Sequence, residues 1–222
     1  MDVKSIMKIF YLPDTIKALV FDMDLTLYTN DEYGQYQIDK LVEKLGQLRG
    51  LSFEEMKGEV EEKRKAWALS HDGKAISLSH ILGSYGIGME EIISWREELM
   101  EPRLFVKEDE KLKAVLEELS NSFTLGVVTN NPVLVARKTL AALGVEASFP
   151  FVIGLDTCMT AKPHKMPFVK FSESSLCPPE TCVSIGDRYD IDLDLPLQMG
   201  MGGILVNGVE DVYCLPELLN RW

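Results

Sequence analysis

Residues Lys17–Leu27 read KALVFDMDLTL, and the architecture of the chain can be inferred outward from this stretch. An apolar run of strand length ends in two carboxylates, Asp22 and Asp24, which are two residues apart. Side chains alternate along an extended backbone, so both acids can project toward one side. A fully apolar strand is typical of a parallel sheet covered on both faces, where ligands bind beyond the carboxyl ends of the strands. Because two adjacent like charges repel, the stretch predicts a bound cation or a shared proton.

The composition is that of an ordinary folded protein: 222 residues, 46% of them hydrophobic and 26% charged, with a net charge of −12. This length fits one large domain or a domain with a sizeable insert. The acidic charge disfavours nucleic acid or an acidic membrane as partner, but it leaves room for a small phosphate ester drawn to a local metal. The four cysteines lack zinc-site spacing, and the first residues lack the apolar segment of a signal peptide, so a cytoplasmic location is expected.

Strand and helix signals divide the chain into two parts. After residue 105, apolar runs at 123–128, 149–155, 181–185 and 202–206 predict further strands separated by helices. Between them and the first strand, hydrophobic residues recur at helical spacing, and Ser52 with Glu55 matches a capping box. The first 16 residues predict only a short arm or helix.

The fold class predicted is therefore α/β, with a Rossmann-like parallel sheet core and an inserted all-helical cap domain. The core comprises residues 1–30 and 105–222, and the cap comprises residues 31–104. Tyr28, Tyr33 and Tyr36 at the cap entry predict packing between cap and core, with the lining of a substrate pocket as the alternative.

Three of the predicted strands end in Asp22, Thr129 and Asp187. Because parallel strands share one carboxyl edge, we expect these side chains in one cleft with Lys162, which opens the helix after the third strand of the core. Carboxylates suit Mg²⁺, and the hydroxyl and amides of residues 129–131, at a helix start, suit an anion. A metal beside an anion site, with a carboxylate nucleophile, indicates phosphoryl transfer.

Four motifs in sequence order resemble those of the haloacid dehalogenase superfamily. Asp22–Leu27 is similar to motif I, Val127–Asn130 to motif II, Ala161–Pro163 to motif III, and Ser184–Asp187 with Asp192 to motif IV. Together they span about two thirds of the chain. The helical segment between motifs I and II resembles the first type of cap in that superfamily, a lid over the cleft.

The resemblance implies a role for each acid. Asp22 is the implied nucleophile, which becomes an aspartyl-phosphate, and Asp24 is the implied acid that protonates the leaving oxygen and then activates water. Mg²⁺ is implied on Asp22, the backbone carbonyl of Asp24, and Asp187, with Asp192 as a ligand or as support. Asp190 is an alternative to Asp192.

The resemblance also implies the phosphate contacts. Thr129 and the backbone amides of Met23 and Asn130 would bind phosphoryl oxygens. Lys162 would neutralise Asp22 and the phosphate, and it fits the motif better than the nearby Lys165 because it directly precedes Pro163.

The predicted function is a Mg²⁺-dependent phosphomonoester hydrolase acting on a small phosphorylated metabolite, such as phosphoglycolate or a nucleoside monophosphate. The resemblance implies that dehalogenating members lack an acid at the position of Asp24, so a phosphatase is favoured. Two alternatives stay open: a phosphomutase acting on a sugar phosphate, and a non-catalytic binding protein on the same fold.

Overall fold

The structure, a computed structural model, describes residues 7–73 and 76–220 around a central six-stranded sheet. Its strands are β1 (Lys8–Tyr11), β2 (Ala18–Phe21), β3 (Thr124–Val128), β4 (Phe151–Ile153), β5 (Cys182–Gly186) and β6 (Gly202–Leu205). The spatial order is β1-β6-β5-β2-β3-β4. Every neighbouring pair is parallel except β1 with β6. The predicted α/β class with a Rossmann-like sheet is confirmed.

From β2 onward, one or more helices follow every strand of the described residues, and the longest helical segment lies between β2 and β3, where a block of four helices precedes a fifth. That block comprises α1 (Asp31–Arg49), α2 (Phe53–Ser70), α3 (Leu78–Ser84) and α4 (Met89–Leu99). The remaining helices are α5 (Glu110–Ser120), α6 (Val133–Ala142), α7 (Leu155–Cys158), α8 (Lys165–Ser175), α9 (Asp194–Gln198), α10 (Val209–Val212) and α11 (Leu215–Leu219). None of the helices within residues 7–73 and 76–220 combines the length and apolar character needed to cross a bilayer.

The continuous apolar character of β2 has a direct structural reason, since both faces of this strand are covered. Leu19 and Phe21 belong to the large apolar cluster on one face of the sheet. Ala18 and Val20 belong to a second cluster on the other face, which includes Phe168 and Phe171 of α8. All four β2 residues are buried, which is the pattern expected of a central parallel strand.

Helices α1 to α4 lie within residues 31–104, the helical insert, which separates β2 from the rest of the sheet in the sequence. Its helices share an apolar cluster that includes Leu41, Met56, Ile81 and Trp95. The predicted capping box of Ser52 and Glu55 is confirmed at the start of α2. Asn30 caps α1, and its amide donates to the carbonyl of Phe105 at 2.8 Å, so the chain leaves and re-enters the sheet region at one place.

The prediction of an arm or helix at the N-terminus is wrong where the structure describes it. Residues Lys8–Tyr11 form β1, which pairs antiparallel with β6 at the edge of the sheet. Three of its four residues are exposed and the fourth is only partly buried. An edge strand of this kind lacks the apolar pattern of a buried strand, and it becomes recognisable only through its pairing with β6.

Candidate active site

The polar residues that follow β2, β3 and β5 lie at one edge of the sheet. β2 pairs with both β3 and β5, so it lies between them. Asp22 and Thr129 are buried, and Asp187 is half-buried. The structure thus brings these three residues to the shared carboxyl edge of neighbouring strands, as expected from the sequence.

Lys162 is fully buried and pairs with two carboxylates. Its Nζ donates to Oδ1 of Asp22 at 2.7 Å and to Oδ1 of Asp192 at 2.6 Å. Burial opposes the charged ammonium, but Asp192 and Asp22 outweigh this effect and raise the pKa of Lys162. The lysine is therefore a fixed positive charge beneath Asp22.

The backbone of Lys162 is held by Asn130. The Asn130 amide group donates to the Lys162 carbonyl at 3.1 Å, and Oδ1 of Asn130 accepts from the Lys162 N–H at 2.6 Å. This double contact uses both polar ends of the Asn130 side chain. It ties the loop after β3 to the segment before α8 and so positions the lysine.

Three carboxylates converge beside this lysine. One oxygen from each of Asp22, Asp187 and Asp192 lies within 4.8 Å of the others. Oδ2 of Asp22 and Oδ1 of Asp187 are buried without a hydrogen-bond partner among the described residues, although Nε of Arg188 lies 3.8 Å from the latter oxygen. Burial, together with Asp22 and Asp192, raises the pKa of Asp187 to about 7.

This cluster has the composition of a divalent cation site. The three carboxylates face the ammonium of Lys162 and the guanidinium of Arg188, 3.8 Å from Asp187, which leaves one excess negative charge in a largely buried space. Buried carboxylate oxygens without donors are hard ligands of the kind that Mg²⁺ binds. The residues present therefore fit a magnesium ion.

Gly186, the last residue of β5, makes room for Asp192. A Cβ at this position would lie 2.5 Å from the Cβ of Asp192, which is closer than real contacts allow. Asp192 sits in a π-helical turn, Tyr189–Leu193, and its Oδ2 accepts from the N–H of Arg188 at 3.1 Å. The glycine thus lets this turn fold back against the strand end and bring Asp192 to Lys162.

Asp24 is held by a separate set of donors. The hydroxyl of Tyr28 and the amide of Gln37 (2.8 Å) donate to Oδ1, and the amide of Asn131 donates to Oδ2 at 2.9 Å. Leu25 adopts a left-handed conformation, with φ of 60°, in the turn that brings Tyr28 back to Asp24. The Asp24 side chain is thus fixed by residues of the core and of the helical insert together, and it is outside the three-carboxylate cluster.

Arg96 of α4 extends this network from the insert. Its guanidinium donates to Oδ1 of Asn131 at 2.8 Å, and the Asn131 amide in turn contacts Asp24 and Gln37. Arg96 is 8% exposed, and its Nε is buried without a hydrogen-bond partner among the described residues. Burial lowers the pKa of Arg96, while the charge of Asp24 acts in the opposite direction.

A cleft of about 420 Å³ lies between the sheet edge and the insert. Core residues Asp24, Asn130 and Asp187 line one side. Insert residues such as Arg64 and Arg96 line the other. Its size suits a small organic ligand rather than a polymer.

The other residues predicted at the site lie around it in different roles. Met23 has a fully buried side chain, so only its backbone is available to a ligand. Asp190, the alternative to Asp192, lines a different cavity beside Trp67 and His71, whereas Asp192 contacts Lys162. The tyrosines at the insert entry pack together as predicted, since the rings of Tyr33 and Tyr36 both contact Phe105.

The sequence does not predict the three side chains that contact Asp24, or Arg96, which contacts one of them. It predicts packing or pocket lining for Tyr28 and only a backbone amide for Asn131, and it singles out neither Gln37 nor Arg96. Tyr28 follows Asp24 by four residues within motif I, which is the one local signal that could have indicated its role. Gln37 and Arg96 lie on helices with no distinctive pattern, and only the tertiary structure brings them to the site.

The class of protein follows from a family comparison that agrees with this geometry. Residues 19–206 match the family model described as haloacid dehalogenase-like hydrolase, so the chain belongs to this family. The match begins within β2 and ends just after β6, and it includes all four motifs.

Among curated proteins, the chain is similar to two phosphoglycolate phosphatases. It is 32% identical to that of Colwellia psychrerythraea over 79 residues, which cover 36% of this chain and 35% of that protein. It is 39% identical to that of Xylella fastidiosa over 62 residues, or 28% of this chain and 27% of that protein. The chain thus matches about a third or less of the length of these relatives.

Solved structures share the fold along nearly the whole chain. A HAD phosphatase from Thermococcus onnurineus superposes with a TM-score of 0.61 at 21% identity, covering 92% of this chain and 98% of that one. A 2-haloacid dehalogenase from Pseudomonas syringae superposes with a TM-score of 0.59 at 19% identity, covering 94% of this chain and 100% of that one. Because the two neighbours are named for different reactions, the shared fold does not specify the chemistry, which must be argued from the site.

Proposed function

We propose that the protein is a Mg²⁺-dependent phosphomonoester hydrolase. The observation that carries this proposal is the buried arrangement of Asp22, Asp187 and Asp192 around Lys162, with two carboxylate oxygens left without donors. An uncompensated negative cluster beside a nucleophilic carboxylate is suited to a metal ion and to an anionic substrate, because phosphoryl transfer depends on positioning and charge neutralisation.

In the proposed reaction, a carboxylate oxygen of Asp22 attacks phosphorus and forms an aspartyl-phosphate as the ester P–O bond breaks. Asp24 gives its proton to the leaving oxygen, which departs as the alcohol. Asp24 then takes a proton from water, whose oxygen attacks the phosphorus and frees inorganic phosphate and Asp22. The fixed position of Asp24 between core and insert donors supports this dual role.

Asp22, Asp187 and the backbone carbonyl of Asp24 would hold the metal, and Asp192 would support it from its contact with Lys162. When bound, Mg²⁺ would neutralise charge so that an anionic nucleophile can approach an anionic phosphate. Thr129, Lys162 and the amides of Met23 and Asn130 would bind the phosphoryl oxygens.

The proposed substrate is a small phosphorylated metabolite such as phosphoglycolate or a nucleoside monophosphate. The size of the cleft supports this range, and the two curated relatives are named for phosphoglycolate. We also propose that residues 31–104 act as a lid on a core of residues 1–30 and 105–222, since the insert lines one side of the cleft and can exclude bulk water.

The test is release of inorganic phosphate from p-nitrophenyl phosphate. We expect activity with Mg²⁺, none after treatment with EDTA, and a loss of at least about 10³-fold in Asp22→Asn, because an amide cannot form the acyl phosphate. Asp190→Asn, an acid of the same loop that lines another cavity, is the matched control. Full activity of Asp22→Asn would contradict the proposal, as would conversion of a sugar phosphate into an isomer without free phosphate.

A further inference from the structure

Three arginines line the cleft, and Arg96 differs from the other two. Arg64 pairs with Glu61 at 3.0 Å, and Arg188 lies 3.8 Å from Asp187. Arg96 has no carboxylate within ion-pair distance in the described part of the chain, although it is the most buried of the three. A buried cation normally has an anionic partner, because burial without one is costly.

The guanidinium of Arg96 is also short of hydrogen-bond acceptors. This group carries five N–H donors in a planar fork, yet the described residues supply one acceptor, Oδ1 of Asn131. Its Nε is buried and unpaired, and the residue lines the cleft wall. A planar fork with free donors matches a carboxylate, which can accept two parallel hydrogen bonds.

The position of Arg96 relative to Asp24 limits the length of the ligand. The Asn131 side chain lies between them, donating to Asp24 and accepting from Arg96. One amide group therefore separates the arginine from the proposed acid, which would contact the leaving oxygen of the substrate. A ligand that contacts both groups therefore needs only a short link between its leaving oxygen and the anionic group bonded to Arg96.

We infer that Arg96 is a specificity-determining residue that binds a carboxylate of the substrate, so that the preferred ester carries a carboxylate adjacent to the ester carbon. This inference rests on the proposed phosphatase function and narrows it. It favours a phosphorylated 2-hydroxy acid such as phosphoglycolate over a nucleoside monophosphate, whose leaving group has no carboxylate at that distance.

The test compares phosphoglycolate with 2-hydroxyethyl phosphate, in which a neutral CH₂OH group replaces the carboxylate. We expect the wild-type protein to prefer phosphoglycolate in kcat/KM by about 10- to 100-fold, the range for a charge-assisted hydrogen bond. Arg96→Met should lower kcat/KM for phosphoglycolate by about 10- to 100-fold more than for the neutral ester, and so remove most of this preference. Arg64→Met is the matched control and should retain the preference, since Arg64 already pairs with Glu61.

The outcomes separate this inference from the function on which it rests. An equal loss for both esters in Arg96→Met would assign the residue to the positioning of Asn131 and Asp24 and overturn the inference. A wild-type protein without the preference would also overturn it. Hydrolysis of neither ester would instead contradict the proposed function itself.

A folding defect in Arg96→Met would show as loss of its cooperative thermal transition. Arg96→Lys then serves as the second variant, because it retains the charge but not the fork. In this variant we expect the ratio of kcat/KM for phosphoglycolate to kcat/KM for the neutral ester to lie between the wild-type ratio and 1. An unchanged ratio would overturn the inference.

Discussion

Lys162 is the residue on which the charge balance of the site depends. It is 1% exposed and contacts Asp22 and Asp192 at 2.7 and 2.6 Å. Burying an ion pair stabilises a fold only modestly, but removing one partner is expensive because the other charges stay buried. Lys162 is therefore expected to affect stability as well as the proposed phosphate binding.

We expect Lys162→Met to lower the free energy of unfolding by about 3–5 kcal/mol, because two buried carboxylates lose their counter-ion. Urea denaturation of the metal-free protein measures this change. Lys165→Met is the matched control, since this exposed lysine lies three residues further on, and its effect should stay within about 0.5 kcal/mol. Equal stability of the two variants would mean that the buried pairs are not formed in solution.

At the scale of single residues, sequence reasoning brought together the strand-end residues but not their neighbours. Asp22, Thr129 and Asp187 could be predicted because each follows an apolar strand, and parallel strands share one edge. Arg96 could not, because its partner Asn131 is remote in the chain and α4 carries no signal that distinguishes this arginine from a solvated one. Such contacts depend on how the insert packs on the core.

At the scale of elements, the end of β5 determines whether the site can assemble. The turn Tyr189–Leu193 folds back so closely that Asp192 lies against Gly186. Any side chain at Gly186 would push this turn outward and separate Asp192 from Lys162. The constraint is one of space, since a Cβ would approach Asp192 to 2.5 Å.

We expect Gly186→Ala to destabilise the protein by about 1–3 kcal/mol, the usual cost of overpacking a buried position. Gly58→Ala is the matched control, because a Cβ at Gly58 meets nothing within 4 Å in α2. That control should stabilise the protein by about 0.5–1 kcal/mol through helix propensity. Thermal unfolding of both variants tests the two predictions. A change of Tm in the same direction for Gly186→Ala and Gly58→Ala would contradict them.

Element boundaries were predictable where the local signal was strong. The apolar run of β2 reflects burial on both faces of the strand, and the Ser52 capping box reflects hydrogen bonds at the start of α2, so both could be predicted. The edge strand β1 has no comparable sequence pattern, because its residues are largely exposed. Helix α1 begins at Asp31, where the side chain of Asn30 caps the helix and no apolar periodicity indicates its start.

For the protein as a whole, the acidic cluster links the stability of the fold to pH and to the proposed metal binding. Burial and the charges of Asp22 and Asp192 raise the pKa of Asp187 to about 7, whereas an unfolded chain has an aspartate pKa of about 3.9. Between these values the folded protein retains a proton that the unfolded chain has lost. This contribution to stability is complete below about pH 4 and is lost as the pH rises through 7.

We therefore expect the stabilisation by Mg²⁺ to grow between about pH 6 and 8, because the metal competes with the Asp187 proton. Thermal unfolding with EDTA and with saturating Mg²⁺, at both pH values, measures this effect. Asp187→Asn should raise the stability of the metal-free protein at pH 8 and reduce its response to Mg²⁺. An equal Mg²⁺ effect at both pH values in the wild type would contradict the assignment of Asp187.

The hydrogen bonds around Asp24 connect the two walls of the cleft. Gln37 donates to Asp24 directly, and Arg96 donates to Asn131, which in turn donates to Asp24; Gln37 and Arg96 both belong to the segment that lines the far wall of the cleft. A chimera that exchanged residues 31–104 for the corresponding segment of a distant relative would thus change one wall of the cleft and lose part of the support for Asp24, the proposed proton donor. A change of ligand preference made through this segment would therefore alter turnover as well.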